Sequence, residues 1–114
     1  EYTTVPEGFA FALGDRMSFG KMAPLMCPGI AGYRAFRLTG IGPGDTLGLY
    51  GYGPTASYVL QIAHAKDIRV FVVTRSKKNR EAAGEMGADW TGDYTQQLPG
   101  KLSAAILFPP AGDL

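Results

Sequence analysis

The stretch Asp45-Thr-Leu-Gly-Leu-Tyr-Gly-Tyr-Gly-Pro-Thr-Ala56 decides the fold. A short apolar run (Leu47, Leu49, Tyr50) meets a glycine turn, after which Ala56, Val59, Leu60 and Ala63 recur at the i, i+3, i+4, i+7 spacing of one helix face. The order is therefore strand, loop, helix. Pro54 suits the first helical turn, because its φ is already helix-compatible and its missing N–H would have no partner there. The spacing Gly51-x-Gly53-x-x-Ala56 fits a dinucleotide fingerprint: one glycine for the tight turn, one for backbone approach to a pyrophosphate, and a small residue for close helix–strand packing. The unpaired N–H groups and the positive dipole end of this helix favour an anionic phosphate, which makes Gly51, Gly53, Pro54, Thr55 and Ala56 candidate cofactor-binding residues.

Downstream of this stretch, the helix should run from Pro54 to about Lys66, and Arg69 to Thr74 is a continuous β-branched and aromatic run, the pattern of a parallel strand buried on both faces. A strand–helix–strand unit of this length implies a right-handed crossover. Ser76 can cap a helix over Lys77 to Met86, which Gly87 ends; Gly84 inside it costs about 1 kcal/mol relative to Ala and has no reason in the sequence. Ala88 to Thr91 reads as a third strand and Ala104 to Phe108 as a fourth, stopped by Pro109-Pro110. These units predict an α/β, Rossmann-like parallel sheet with flanking helices in the order 3-2-1-4, truncated at little more than half of a doubly wound sheet. Strand four would then keep an open edge and uncovered apolar faces.

Upstream, Tyr2 to Val5 and Phe9 to Leu13 read as short extended pieces around a Pro6-Glu7-Gly8 turn, and Ser18 as a cap for a short turn through Met22. Ile30, Tyr33, Ala35 and Phe36 then predict a helix of about three turns, ending at Gly40. We take residues 1–27 as a lead-in from a neighbouring domain and residues 28–114 as the first half of a nucleotide-binding domain. The start on Glu1 and the missing second half suggest a piece of something longer.

The whole-chain balance excludes some classes. Eleven basic and ten acidic side chains leave a formal charge of +1, so no global field draws the chain to nucleic acid or an anionic membrane. No apolar stretch has the ~18 residues of a membrane span. A single cysteine forbids an intrachain disulfide and fits a reducing, cytoplasmic setting.

About twenty residues past the glycines, a Rossmann domain that prefers NAD carries an acidic side chain for the ribose 2′-hydroxyl. Here that place holds Thr74-Arg75-Ser76-Lys77-Lys78-Asn79-Arg80, with no carboxylate to repel a 2′-phosphate. Arg75 can pair with a phosphate as a planar fork, Thr74 and Ser76 can donate hydroxyls, and Lys78 or Arg80 adds charge. This chemistry favours NADP over NAD; a merely solvated basic helix start is the plainer alternative, although cations there oppose the helix dipole.

Three patterns together carry a resemblance. Ala23-Pro-Leu-Met-Cys27-Pro-Gly-Ile-Ala-Gly-Tyr-Arg-Ala35, Gly42-Pro-Gly-Asp45 with its strand and glycine loop, and Glu85-Met-Gly-Ala-Asp-Trp90 resemble, in order and spacing, the zinc-dependent alcohol dehydrogenases of the medium-chain dehydrogenase/reductase superfamily. The resemblance implies that Cys27 stands at a catalytic zinc ligand, just before the helix of Tyr33-Arg34, with the other ligands upstream of this chain. On composition alone Cys27 would be a buried small thiol. A thiolate beside a helix N-terminus is favoured by the dipole and is a soft zinc ligand. The resemblance also implies that Phe108 borders the cofactor groove, and that the intact protein is a homo-oligomer acting on a small alcohol or aldehyde with NADP and zinc. Two alternatives stand beside this: a zinc-free quinone or enoyl reductase of the same superfamily, and a nucleotide-binding module without catalysis. His64 reads as a partly exposed helix residue.

Overall fold

The computed structural model describes residues 2–109. Its helices are α1 (Phe19–Pro24), α2 (Ile30–Thr39), α3 (Pro54–His64) and α4 (Lys77–Glu85), and its strands are β1 (Thr46–Tyr50), β2 (Arg69–Val73), β3 (Trp90–Gly92) and β4 (Ala104–Leu107). The strands form one sheet in the order β3-β2-β1-β4, parallel at every pairing, as the sequence predicts. Thr46 opposes Arg69 and Tyr50 opposes Val73, so β1 and β2 finish level at the end that carries the glycine loop.

Strand alternation sorts the apolar residues onto two faces. Leu47 and Leu49 of β1, Val70 and Val72 of β2 and Ile106 of β4 form a single core with Ala56, Val59, Leu60 and Ala63 of α3, Phe36 of α2 and Ala83 of α4. The helix face read from the sequence is therefore the face that is buried. Gly32 lets α2 and α3 close together, because a Cβ there would lie 3.0 Å from both the Thr55 carbonyl oxygen and Val59 Cγ2. The opposite face carries Gly48, Tyr50, Phe71, Val73 and Trp90 and is covered by the 93–103 loop rather than by helices. There Leu102 packs over Gly48, Tyr94 lies 6.4 Å from the Tyr50 ring, and Trp90 meets Phe71 edge-on at 6.2 Å. An open apolar cavity of about 490 Å³ remains between this loop and β4, and Leu107 stays 58% exposed, so one face of β4 is uncovered as the sequence predicts, whereas Ile106 on the other face is buried with Phe36 of α2, against that expectation.

Several element ends hold as read. Gly40 (φ 66°) and Gly87 (φ 96°) stop α2 and α4 in the left-handed region, and Ser76 Oγ accepts the Asn79 N–H. The third strand starts later, at Trp90 rather than Ala88, because Ala88 N–H closes the end of α4 on the Ala83 carbonyl and Asp89 joins the β2 edge by bonding Val70 at N–H and carboxylate. Gly84 faces open space, and no contact explains it. The Pro110 part of the predicted stop lies outside the described residues.

The segment before α2 departs from its reading. Residues 2–18 are exposed and form no strand; the Pro6-Glu7-Gly8 turn is a single tight helical turn, Glu7–Phe9. Ser18 begins α1 through its backbone carbonyl, which accepts the Lys21 and Met22 N–H groups, and not through its hydroxyl. From α1 the chain stays helical through a wider turn at Leu25–Gly29 directly into α2. Pro28 has no N–H to offer an ordinary helical turn, and a widened turn accommodates that loss.

Candidate cofactor-binding site

The glycine loop turns sharply at Gly51, where φ is 88° and the N–H donates to the Val73 carbonyl at 2.8 Å. A side chain at Gly51 would also crowd Pro109, at 3.1 Å from Cδ. Gly53 is different. Its backbone is extended (φ −140°, ψ −168°), a conformation open to any residue, and no atom lies within 4 Å of the place a Cβ would take. Gly51 is thus required by the protein itself, whereas Gly53 keeps an empty approach to the start of α3, where a ligand's anionic group can meet free N–H groups.

Pro54 opens α3, and Ala56 is 1% exposed beneath the loop, tight against the sheet. Phe108 and Pro109 flank the same loop: Phe108 N–H donates to the Tyr50 carbonyl at 2.9 Å, and Phe108 Cβ lies 3.5 Å from the Gly51 Cβ position. Gly51, Gly53, Pro54, Thr55, Ala56 and Phe108 therefore surround one end of the sheet. Tyr52 packs against the core with its hydroxyl buried and without a hydrogen-bond partner, and burial pushes its phenol above the ordinary range.

The basic turn follows β2. Arg75, Ser76 and Lys78 are exposed, while Thr74 is buried at 6% exposure, its N–H bound to the Gly92 carbonyl; it offers less to a ligand than the sequence suggested. Arg80 keeps its charge but is tied back to the turn. Its Nη1 donates to the carbonyl oxygens of both Thr74 and Arg75 at 2.8 Å, bracing the turn that presents Arg75. Nearby, the Thr95 hydroxyl and N–H hold the Asp93 carboxyl below its ordinary range, with Arg80's charge a smaller contributor. Asn79, which the sequence reading left without a role, donates from Nδ2 to the Tyr52 carbonyl at 2.7 Å and ties α4 to the glycine loop. No sequence signal marks this bond, because its partner is a backbone atom 27 positions away.

Cys27 needs a correction in its surroundings. The thiol is exposed, not buried, and with helix on both sides it has no free helix N-terminus beside it, so the dipole argument for its thiolate falls away. No group of three or more His, Cys, Asp or Glu side chains among the described residues could hold a metal. These residues alone do not make a zinc site. His64 is exposed at the end of α3, with its ring against Gly87. No helix among the described residues is long and apolar enough to cross a membrane.

A parallel β-α-β unit with a positive-φ glycine, an open second glycine and a small residue under the loop defines a Rossmann-like dinucleotide-binding fold. Comparison with protein-family models finds no match. Over all 114 residues the chain is 44% identical to a probable alcohol dehydrogenase of Mycobacterium tuberculosis, of which it spans 33%. It is 34% identical over 88 residues to an NADP-dependent alcohol dehydrogenase of Saccharomyces cerevisiae, covering 77% of this chain and 24% of that one. Among solved structures, CAD from Helicobacter pylori complexed with NADP(H) superposes with a TM-score of 0.75 at 26% identity, over 83% of this chain and 27% of that chain. The chain is thus similar, over most or all of its length, to one part of these alcohol dehydrogenases, and it spans about a third or less of the relatives it matches.

Proposed function

We propose that the chain is the cofactor-binding portion of an alcohol dehydrogenase that, as the intact protein, transfers hydride between NADP(H) and an alcohol or aldehyde. The observation that carries this reading is the open Gly53 loop joined to a turn of exposed cations with no carboxylate in it. In this reading the N–H groups of Gly53, Thr55 and Ala56 take the diphosphate. Arg75, with Ser76, Lys78 and the less accessible Thr74, takes the ribose 2′-phosphate, and Phe108 borders the groove. The cofactor supplies the hydride; the residues of this chain bind and orient it.

The NADP(H) in the Helicobacter pylori complex and the NADP dependence of the yeast relative support the choice of NADP over NAD. Residues 1–27 belong, on the same reading, to the substrate-side domain and residues 28–114 to the cofactor domain. Cys27 would give zinc one ligand, the others coming from outside these residues; zinc, when bound, polarises a substrate oxygen. A cytoplasmic, homo-oligomeric enzyme completes the proposal.

Mixing the full-length protein with NADPH and a panel of simple aldehydes tests it through loss of NADPH absorbance. Consumption with aldehydes supports the reading; consumption with quinones alone favours the zinc-free branch; none with either overturns it. Zinc content that is stoichiometric and lost in Cys27→Ser would support the ligand role, and zinc unaffected by the substitution would remove it.

A further inference from the structure

One side chain joins the glycine loop to α4. Asn79 Nδ2 donates to the Tyr52 carbonyl at 2.7 Å. The turn that carries Asn79 is itself fixed, by Ser76 Oγ accepting the Asn79 N–H at 3.3 Å and by the two bonds of Arg80 to the Thr74 and Arg75 carbonyls. A trans peptide is planar, so the Tyr52 carbonyl and the Gly53 N–H point in opposite directions. Pinning the carbonyl toward α4 therefore turns the Gly53 N–H away from it. Among the described residues no protein acceptor meets that N–H, and the space beside Gly53 is clear. Without the pin, the permissive φ of Gly53 and the ψ of Tyr52 leave this peptide free to rotate.

We propose that Asn79 is a positioning residue that sets the Tyr52–Gly53 peptide so that the Gly53 N–H is presented to the diphosphate of the cofactor. The inference rests on the cofactor reading above and adds to it the device that aims the loop. It separates two tasks within the first turn of α4 and the strand end before it: Arg75 meets the 2′-phosphate directly, and Asn79 acts on the diphosphate through Gly53.

Two probes divide these tasks. ADP has a diphosphate and no 2′-phosphate, and adenosine 2′-monophosphate has the reverse. Titrated into the full-length protein, Asn79→Ala weakens ADP binding about fivefold to tenfold, the worth of one oriented hydrogen bond, and leaves adenosine 2′-monophosphate unchanged. Asn79→Gln keeps an amide donor and recovers part of the ADP affinity, while Arg75→Asp loses adenosine 2′-monophosphate and keeps ADP. Unchanged ADP binding in Asn79→Ala, equal losses for both probes, or no recovery with Gln would overturn the positioning role. A wild-type protein that binds neither probe would instead overturn the cofactor reading.

Discussion

Two glycines two positions apart do different work, and substitution separates them. Gly51 holds φ 88° beside Pro109, so Gly51→Ala costs stability, by about 1–2 kcal/mol for the left-handed backbone alone. Gly53→Ala meets neither strain nor neighbour, and its stability change stays below about 1 kcal/mol, the cap penalty at most. A methyl group there would instead stand where a diphosphate approaches. Denaturant midpoints should therefore fall for Gly51→Ala and hold for Gly53→Ala, while NADPH titration shows weakened binding in both; full affinity in Gly53→Ala would mean that the open space is not the ligand's.

At the scale of elements, the turn into β1 is held by one carboxylate. Asp45 accepts the Gly42 N–H and the Ser103 hydroxyl, both at 2.9 Å, so it closes the Gly42-Pro43-Gly44 turn and ties β1 to the residue before β4. Those bonds, the Gly42 N–H first, hold its pKa below the ordinary aspartate value. Because the folded value is the lower one, the stabilisation is complete above the unfolded pKa of about 4 and disappears as pH falls through the folded value. Unfolding followed between pH 7 and pH 2 should show a smaller acid-induced loss in Asp45→Asn than in the wild type; identical pH slopes would contradict it. The strands and α3 were legible because burial writes a period into the sequence: Leu47 and Leu49 alternate, and Ala56 to Ala63 recur by turns. The helix through Cys27 was not, because Pro24 and Pro28 lack the N–H of an ordinary helical turn and the widened turn that absorbs Pro28 leaves no residue pattern. Nor were the roles of Asn79 and Arg80, whose acceptors are backbone carbonyls and so carry no side-chain signature.

For the whole molecule, stability rests on the helix-covered face of the sheet. Leu60 is fully buried there, and Leu60→Ala should lose about 2–5 kcal/mol, whereas Leu38→Ala, at a site 78% exposed, should change stability by no more than about 0.5 kcal/mol. The other face depends on a loop, and the sheet presents half of a doubly wound fold. The 114 residues alone are accordingly expected to turn over no alcohol, and measurable turnover by them would refute the division of labour proposed for the intact protein. Whether the Gly51 loop and the Arg75 turn together seat NADP(H) is decided by titrating the full-length protein with NADPH and NADH side by side, for the wild type and for Arg75→Asp. The wild type should bind NADPH more tightly, and the substitution should erase or reverse this preference; an unchanged preference, or no binding of either nucleotide, would show that these two segments do not form the NADP(H) seat.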